Sequence, residues 1–524
     1  DVSEKIEVNL QYFTEDAIWV SYENASELET KINEADKVRL VANGTYANHI
    51  DSLTKQFVKL DLPDDYSLRD NLPDCIKYIY GPPGTGKTTK LVGKIQDIVQ
   101  NSQTDLDILV LTPTNKAADV IASRLSDNDA CSQYTYRFGI TENLEFLETN
   151  NVYTRNDSFI DNDGHHVFIT TAARYAYDYL MPNEEIVCDH HWDYVIIDEA
   201  SMMDIVTMAF ILFKSQDCQF IISGDPQQIQ PVKQNEVQPE NIYQMVGLNS
   251  FAAAQNNPKV ECLNTQYRSI PTIGDLVSKF SYNGIVKPNR SQSSQKPLNL
   301  GFKISSINYI GFKTELLDNL YGLDAIDESA FHLYSAIFGY EYASYISRKV
   351  EESNPSEQYS IGIVCPYKKQ ADSIKQMIEL RDISNESCKV QCGTVHSFQG
   401  DECDIMIVVL NPPINVGKNS HVNNQNIINV AVSRAKDYVF FLVPDNITQG
   451  FPIRDVLGSL SGDEKNVLFC NKIEKVMFGQ EDYIEKHTNV TCHMPVNVYY
   501  EPSSLYEVRK DDSAVDIQIN EQFR

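Results

Sequence analysis

The stretch GPPGTGKTTKL, residues 81 to 91, and the stretch VIIDEASMMD, residues 195 to 204, hold the residue types best suited to chemistry on a phosphate. In the first, Gly81, Gly86, Lys87 and Thr88 fall at the GxxxxGK[ST] spacing of a P-loop. Gly81, Pro82, Gly84, Thr85, Gly86, Lys87, Thr88 and Thr89 are therefore the candidate cradle. Glycines let the chain turn so that its amides face phosphate oxygens, and the start of the following helix adds partial positive charge. Lys87 is placed to reach the β and γ phosphates and Thr88 to ligate Mg2+. The second stretch sends a run of valine and isoleucine into a buried strand and ends it on Asp198 and Glu199. Taken alone, such a run is also compatible with a strand closing on a solvated turn. Beside a P-loop its carboxylates gain a chemical role, in which Asp198 holds the Mg2+ with Thr88 and Glu199 polarises the water that attacks the γ phosphate.

Such residues must sit at the tips of parallel strands. KYIY before the P-loop, LDILVLTPTNKAADVIASRL (106 to 125) and CQFIISGDPQQIQPV (218 to 232) each read as a strand followed by a polar loop or a helix. This alternation predicts an α/β domain with a parallel sheet over 65–262, its ligand crevice at the strand ends. The pattern restarts in YSIGIVCPYKKQADSIKQMI (359 to 378), KVQCGTVHSFQGDECDIMIVVL (389 to 410) and NIINVAVSRAKDYVFFLVP (426 to 444), without a second GK[ST] loop. A second α/β domain is expected over 263–460, with the nucleotide between the two. The polar stretch 285–335, including NRSQSSQKPLNLG, reads as an insertion. Residues 1–64 read as a small β-rich N-terminal element and 461–524 as a strand-bearing C-terminal extension.

Composition narrows the function classes. Lys plus Arg is 44 against 73 Asp plus Glu, a formal charge of −29, which opposes indiscriminate binding to a polyanion. Any nucleic acid must lie in a locally basic channel or be held by uncharged groups. No run of about 18 apolar residues occurs and the first residues lack the basic and apolar regions of a signal peptide, so a soluble, intracellular, cytoplasmic protein without membrane contact is expected. Eleven cysteines without CxxC pairs point to reduced thiols. Cys388, Cys392 and Cys403 with His396 nearby are too irregularly spaced for a strong zinc reading.

In order along residues 76 to 444, the blocks GPPGTGKTT, TPTNKAA, DEASM, GDPQQIQP, LNTQYRS, IGIVCPYKKQ, VHSFQGDECDIMIV and NVAVSRAK resemble superfamily 1 helicases. The likeness is to the 1B branch, which contains the nonsense-mediated-decay RNA helicase and the nidovirus helicases. That resemblance implies two RecA-like P-loop NTPase domains, ATP and Mg2+ in the cleft, and a single strand of RNA or DNA across both. By position in the blocks, Gln228 resembles the γ-phosphate sensor, Arg268 and Arg434 the two arginines that reach the γ phosphate, and Tyr267 the adenine-stacking aromatic. Gly400 and Glu402 match positions touching phosphates and ribose. Pro113, Thr114, Asn115, Thr171, Pro366, Tyr367, Thr394 and His396 match the strand-contact loops. Read without the resemblance, the arginines are compatible with surface residues, Tyr267 with a core tyrosine and His396 with a histidine packed against a loop.

The departures are a missing adenine-reading glutamine in DDYSLRDNLPDCIKY and a missing Cys/His-rich N-terminal zinc module. The resemblance implies an ATP-dependent translocase moving 5′ to 3′. The rival reading is a nucleotide-gated module that clamps nucleic acid, or a protein partner met through the acidic surface or the terminal extensions, inside a larger assembly without productive unwinding. A small-molecule P-loop kinase would leave the second α/β half without a role.

Overall fold

The computed structural model describes residues 9–13, 18–21, 25–34, 49–60, 67–69, 72–127, 131–139, 141, 164–180, 186–231, 241–315, 318–326, 329–353, 356–398, 400–410, 425–445, 465–492, 502–511 and 514–523. Of the N-terminal part it shows an antiparallel hairpin, β1 (Asn9–Phe13) and β2 (Ile18–Ser21), and two helices, α1 (Ala25–Glu34) and α2 (His49–Val58). The helices are additions to the β-rich element expected there. Helix α2 is not free of the rest: Leu53 is buried in the first core and the Phe57 ring lies 5.2 Å from that of Phe210.

The first sheet has seven parallel strands: β3 (Lys77–Tyr80), β4 (Asp107–Thr112), β5 (Thr135–Arg137), β6 (His166–Thr171), β7 (Tyr194–Ile197), β8 (Gln219–Gly224) and β9 (Val260–Cys262). Their order is β5-β6-β4-β7-β8-β3-β9. Strands of this kind are buried on both faces, which is why LVLT and VII read as continuous apolar runs. On one face Ile108 and Val110 meet Leu91 and Ile95 of α3 (Lys87–Asn101) and Ile121 of α4 (Asn115–Ser126). On the other Leu109 and Leu111 meet Met208 and Ile211 of α5 (Ile205–Lys214).

A short parallel pair, β10 (Thr265–Gln266) and β11 (Lys287–Pro288), flanks helix α6 (Pro271–Ser281). The second sheet follows with β12 (Ile307–Phe312), then, past a small hairpin of β13 (Asp324–Ile326) and β14 (Ser329–Phe331), β15 (Tyr359–Cys365), β16 (Cys388–Thr394), β17 (Cys403–Val409), β18 (Ala435–Pro444) and β19 (Lys465–Phe469). It too is parallel, in the order β16-β15-β17-β18-β12-β19. Helices α7 (Leu333–Ser353) and α8 (Lys368–Leu380) cover one face, while α6 and α9 (Gln425–Ser433) cover the other. The α/β class with two parallel sheets flanked by helices is thus as expected.

Two regions differ from the sequence reading. The stretch 285–335, read as an insertion, contributes β12, which lies between β18 and β19. Its six residues INYIGF are almost wholly buried, but Asn308 interrupts them and Ser305, Ser306, Lys313 and Thr314 border them, so the short run was masked by its polar surroundings. The C-terminal extension supplies β19, helix α10 (Cys470–Phe478) and a further sheet of β20 (Thr488–Cys492), β21 (Tyr506–Lys510) and β22 (Val515–Ile519). Buried polar pairs hold it down. The Tyr506 hydroxyl donates to Glu341 of α7, and the Tyr334 hydroxyl to Glu474 of α10. Residues 493–501, also read as strand-like, lie outside the described ones. Among the described residues no helix is long and apolar enough to cross a membrane.

Candidate active site between the two sheets

The C-terminal ends of both sheets open on one cavity of about 780 Å³. From the first sheet, β3 delivers the loop that ends in α3. Gly86 caps that helix at φ 82° and Gly84 sits at φ 71°, left-handed backbone that glycine adopts at little cost. Gly84 has a second constraint, since a Cβ there would come within 2.7 Å of Arg268 Cβ. Lys87 is buried; its Nζ donates to the Gly81 carbonyl at 2.8 Å and lies 3.7 Å from Glu199 Oε1. The lysine is held across the loop it must serve.

Strand β7 ends on the two carboxylates. Thr88 Oγ1 donates to Asp198 Oδ2 at 3.1 Å, and Asp198 Oδ1 accepts from the Glu199 amide at 3.0 Å. Burial pushes the Asp198 carboxyl above its usual range, with the charge of Glu199 acting the same way and Lys87 opposing both. A hydroxyl and a carboxylate side by side form a hard oxygen donor set, which suits Mg2+, and a cation there would offset the charge that burial penalises. Glu199 has φ 49° and ψ 39°, left-handed for a residue with a Cβ. Its Oε2 is buried and has no hydrogen-bond partner among the described residues. Strained backbone and an unsatisfied buried carboxylate oxygen at one residue mark a place set for chemistry rather than for stability.

After β8, Gln228 Nε2 donates to the buried Asp225 carboxylate at 3.0 Å, and Gln228 Oε1 accepts from Arg434 Nη2 at 3.0 Å. Arg434 follows α9 directly, is fully buried, and leaves its Nε without a partner among the described residues. Desolvation, assisted by the neighbouring Arg268, brings its guanidinium pKa down to about 9. Arg268 donates from Nε to Glu402 Oε2 at 2.7 Å and from Nη1 to the Ser433 carbonyl at 2.8 Å. Lys436 also pairs with Glu402, at 2.7 Å. Although burial pushes the Glu402 carboxyl up, these cations hold it below the usual carboxylate range. Tyr267 is 58% exposed over the cavity, its amide anchored to the Gly84 carbonyl at 2.8 Å, so it is not a core tyrosine.

Of the candidate residues, Pro82, Gly84, Gly86, Lys87, Thr88, Thr89, Asp198, Glu199, Gln228, Tyr267, Arg268, Gly400, Glu402 and Arg434 line this cavity, and so do Pro113, Thr114, Asn115 and His396. Gly81 and Thr85 stand behind the lining, and the Thr85 hydroxyl donates to the Pro82 carbonyl. Thr171 pairs in register with Thr112 at the end of β6 and is buried. Pro366 and Tyr367 begin α8 after β15, and Thr394 ends β16 opposite Cys365. These four therefore lie at the same sheet ends but not in the cavity wall. Thr114 caps α4, accepting from the Ala117 amide at 3.2 Å, and Asn115 Oδ1 accepts from Arg137 at 3.2 Å. Burial lowers the pKa of His396, favouring the neutral ring.

The sequence reading missed Lys116, Val120 and Arg124, which also line the cavity, as do Lys375 and Asp401. The first three recur every fourth residue on α4, a helical period that puts them on one face. Lys116 spans the cleft to Asp401 Oδ2 at 2.5 Å, and Arg124 donates to Thr89 Oγ1 at 2.9 Å.

Residues 67–234 and 248–445 each match a family model described as an AAA domain. The chain is 25% identical over 414 residues to the putative helicase mov-10-B.1 of Danio rerio, covering 68% of this chain and 38% of that protein. It is 27% identical over 362 residues to the RNA helicase Mov10l1 of Homo sapiens, covering 64% of this chain and 29% of that one. A solved arterivirus nonstructural protein 10 (helicase) is similar at 13% identity and a TM-score of 0.36, over 70% of this chain and 60% of its own. The chain spans less than two fifths of the length of these two curated relatives.

Proposed function

We propose, from the premise that the chain is a superfamily 1 helicase of the nonsense-mediated-decay helicase-like branch, that it hydrolyses ATP between the ends of its two sheets. It uses the resulting closure to step along a single nucleic-acid strand, 5′ to 3′. One observation carries this proposal. The cavity places an oxygen of Glu199 and a nitrogen of Arg434, both without a hydrogen-bond partner among the described residues, in one wall system, supplied by opposite sheets.

In this reading the P-loop amides and Lys87 bind the β and γ phosphates. Thr88 and Asp198 hold Mg2+, which supplies charge neutralisation when bound. Glu199 accepts a proton from the attacking water, Gln228 senses the γ phosphate, and Arg268 and Arg434 face the charge that develops on it. Tyr267 offers an exposed ring to the base, and Gly400 and Glu402 border the phosphates and ribose. For the strand, Pro113, Thr114, Asn115, Thr171, Pro366, Tyr367, Thr394 and His396 offer hydroxyls, amides and an uncharged imidazole. Such groups bind phosphates without adding net positive charge. They therefore suit a chain of formal charge −29. A cytoplasmic location belongs to the same reading.

The test is the steady-state ATPase rate without polymer, with single-stranded DNA and with single-stranded RNA, at low and moderate salt. Stimulation by one polymer, lost in Glu199→Gln and Lys87→Ala, supports the reading and names the strand. Hydrolysis at the wild-type rate in either variant sinks it. The net charge, and the partial coverage of the relatives, favour one second reading: a nucleotide-gated clamp within a larger assembly. Strand-stimulated hydrolysis with no duplex opening would select it.

A further inference from the structure

Behind the cavity wall lies a closed set of hydrogen bonds that the reaction as described does not use. Helix α9 grips the loop after β8 at three points. Asn426 Nδ2 donates to the carbonyls of Pro226 at 3.2 Å and Gln228 at 2.7 Å. Asn429 Nδ2 donates to the Gln227 carbonyl at 2.7 Å and to the Tyr282 hydroxyl at 2.9 Å. Arg434, next after the helix, donates to Gln228 Oε1 at 3.0 Å. The Tyr282 hydroxyl in turn donates to Asp225 Oδ2 at 2.6 Å, and that same oxygen accepts Gln228 Nε2 at 3.0 Å. The circuit runs from Arg434 through Gln228, Asp225, Tyr282 and Asn429 back to the helix that Arg434 directly follows.

Tyr282 is well placed to join the two halves. It caps α6, whose Ile273 and Leu276 pack in the core layer shared with α9, yet its own ring is buried in the first-sheet core beside Phe251. Ile229, from the loop after β8, packs the other way, into the α9 layer. Asp225 is completely buried and its carboxylate takes its hydrogen bonds from Tyr282, Gln228 and the Gln227 amide. A buried carboxylate that loses one of few donors pulls harder on the others. Removing the Tyr282 hydroxyl therefore alters how the Gln228 amide is held.

We propose that Tyr282 and Asn429 are positioning residues that fix Gln228 relative to Arg434, so that the sensing amide and the arginine enter the cavity as one unit when the halves approach. The inference rests on the ATP hydrolysis proposed above. A core tyrosine with a satisfied hydroxyl is the plainer role, and it predicts lost stability alone.

The experiment is steady-state ATP hydrolysis by the full chain with saturating single-stranded polynucleotide, kcat and KM being separated, for wild type, Tyr282→Phe, Asn429→Ala and the double variant, with thermal melting of each. Tyr282→Phe removes one oxygen and keeps the ring, so it provides a folded comparison should Asn429→Ala unfold. Each single variant is expected to lower kcat about 10-fold with KM within about 2-fold of wild type, the size of one lost hydrogen bond acting on the transition state. The double variant should be no worse than the poorer single one, because one break opens the circuit. Wild-type kcat in a folded Tyr282→Phe, or multiplying losses in the double variant, would overturn the inference while leaving hydrolysis standing. A wild-type chain that hydrolyses nothing would overturn both, so the two failures give different results.

Discussion

The two sheets end on the same cavity but bring different groups to it, although each side carries both cations and carboxylates. The first contributes backbone amides, a lysine already bonded within its own loop, and the carboxylates Asp198 and Glu199. The second half contributes Arg434, Lys375 and the neutral His396, with Arg268 lying against its Glu402 and Ser433. Neither edge suffices alone for phosphoryl transfer. In the proposed function the first edge, with its cradle and two carboxylates, holds the metal-bound phosphate, while Arg268 and Arg434 face it from across the cleft. In the proposed function that division makes hydrolysis conditional on geometry between the halves, as coupling to movement along a strand would require.

The sharpest way to break this division is Arg434→Ala. Loss of a cation that acts only on the transition state should lower kcat by about 10⁴-fold with ATP binding retained, measured by single-turnover hydrolysis beside nucleotide titration. A large rise in KM at unchanged kcat would make the second edge a mere binding surface. On the first edge, Glu199→Gln should cost about 10³-fold in hydrolysis, with nucleotide affinity equal to or above wild type. Tyr267 belongs to neither charge class. Its exposed ring should matter for binding alone, and Tyr267→Ala should raise the KM for ATP about 10-fold with little change in kcat.

The smallest effect concerns stability and lies in the second half. Glu341 is buried beneath the C-terminal sheet, and burial raises its pKa from 4.5 to about 7 despite its bond from Tyr506. The folded protein keeps this proton at a pH where the unfolded chain has released it. Stability therefore falls as pH rises from 4.5 to about 7, by at most about 1.4 kcal/mol per pH unit for one group, and is level above that. Glu341→Gln should flatten that part of the stability curve, read by denaturant melts across the range, without altering the first half.

What was legible in the sequence was local. The P-loop declares itself because amides, lysine and hydroxyl must follow one another at fixed spacing, and VIIDEA because a doubly buried strand must be apolar until its tip. Strand β12 was hidden because a six-residue run interrupted by Asn308 and set between polar neighbours does not distinguish a sheet strand from a loop that happens to pack. Arg124 was missed because its approach to the cavity comes from the turn of α4 rather than from a motif, and Lys116, though inside TPTNKAA, because its partner Asp401 comes from the other half. The Asp225, Tyr282 and Asn429 circuit was illegible for a stronger reason. Its members come from three segments, and nothing in any one of them announces the others.

The late position of β19 has a consequence for how the chain is made. The first sheet closes when β9, ending at Cys262, has emerged, whereas β12 cannot gain its second neighbour until β19 ends at Phe469. At ribosomal speeds of about 5–20 residues per second, those roughly 200 intervening residues take about 10–40 seconds. For that interval the nascent chain carries a complete first sheet while the second is still being made, and even after β18 ends at Pro444 the far edge of β12 stays open until β19 follows, a window in which a chaperone has the most to protect and a truncated product the most to lose.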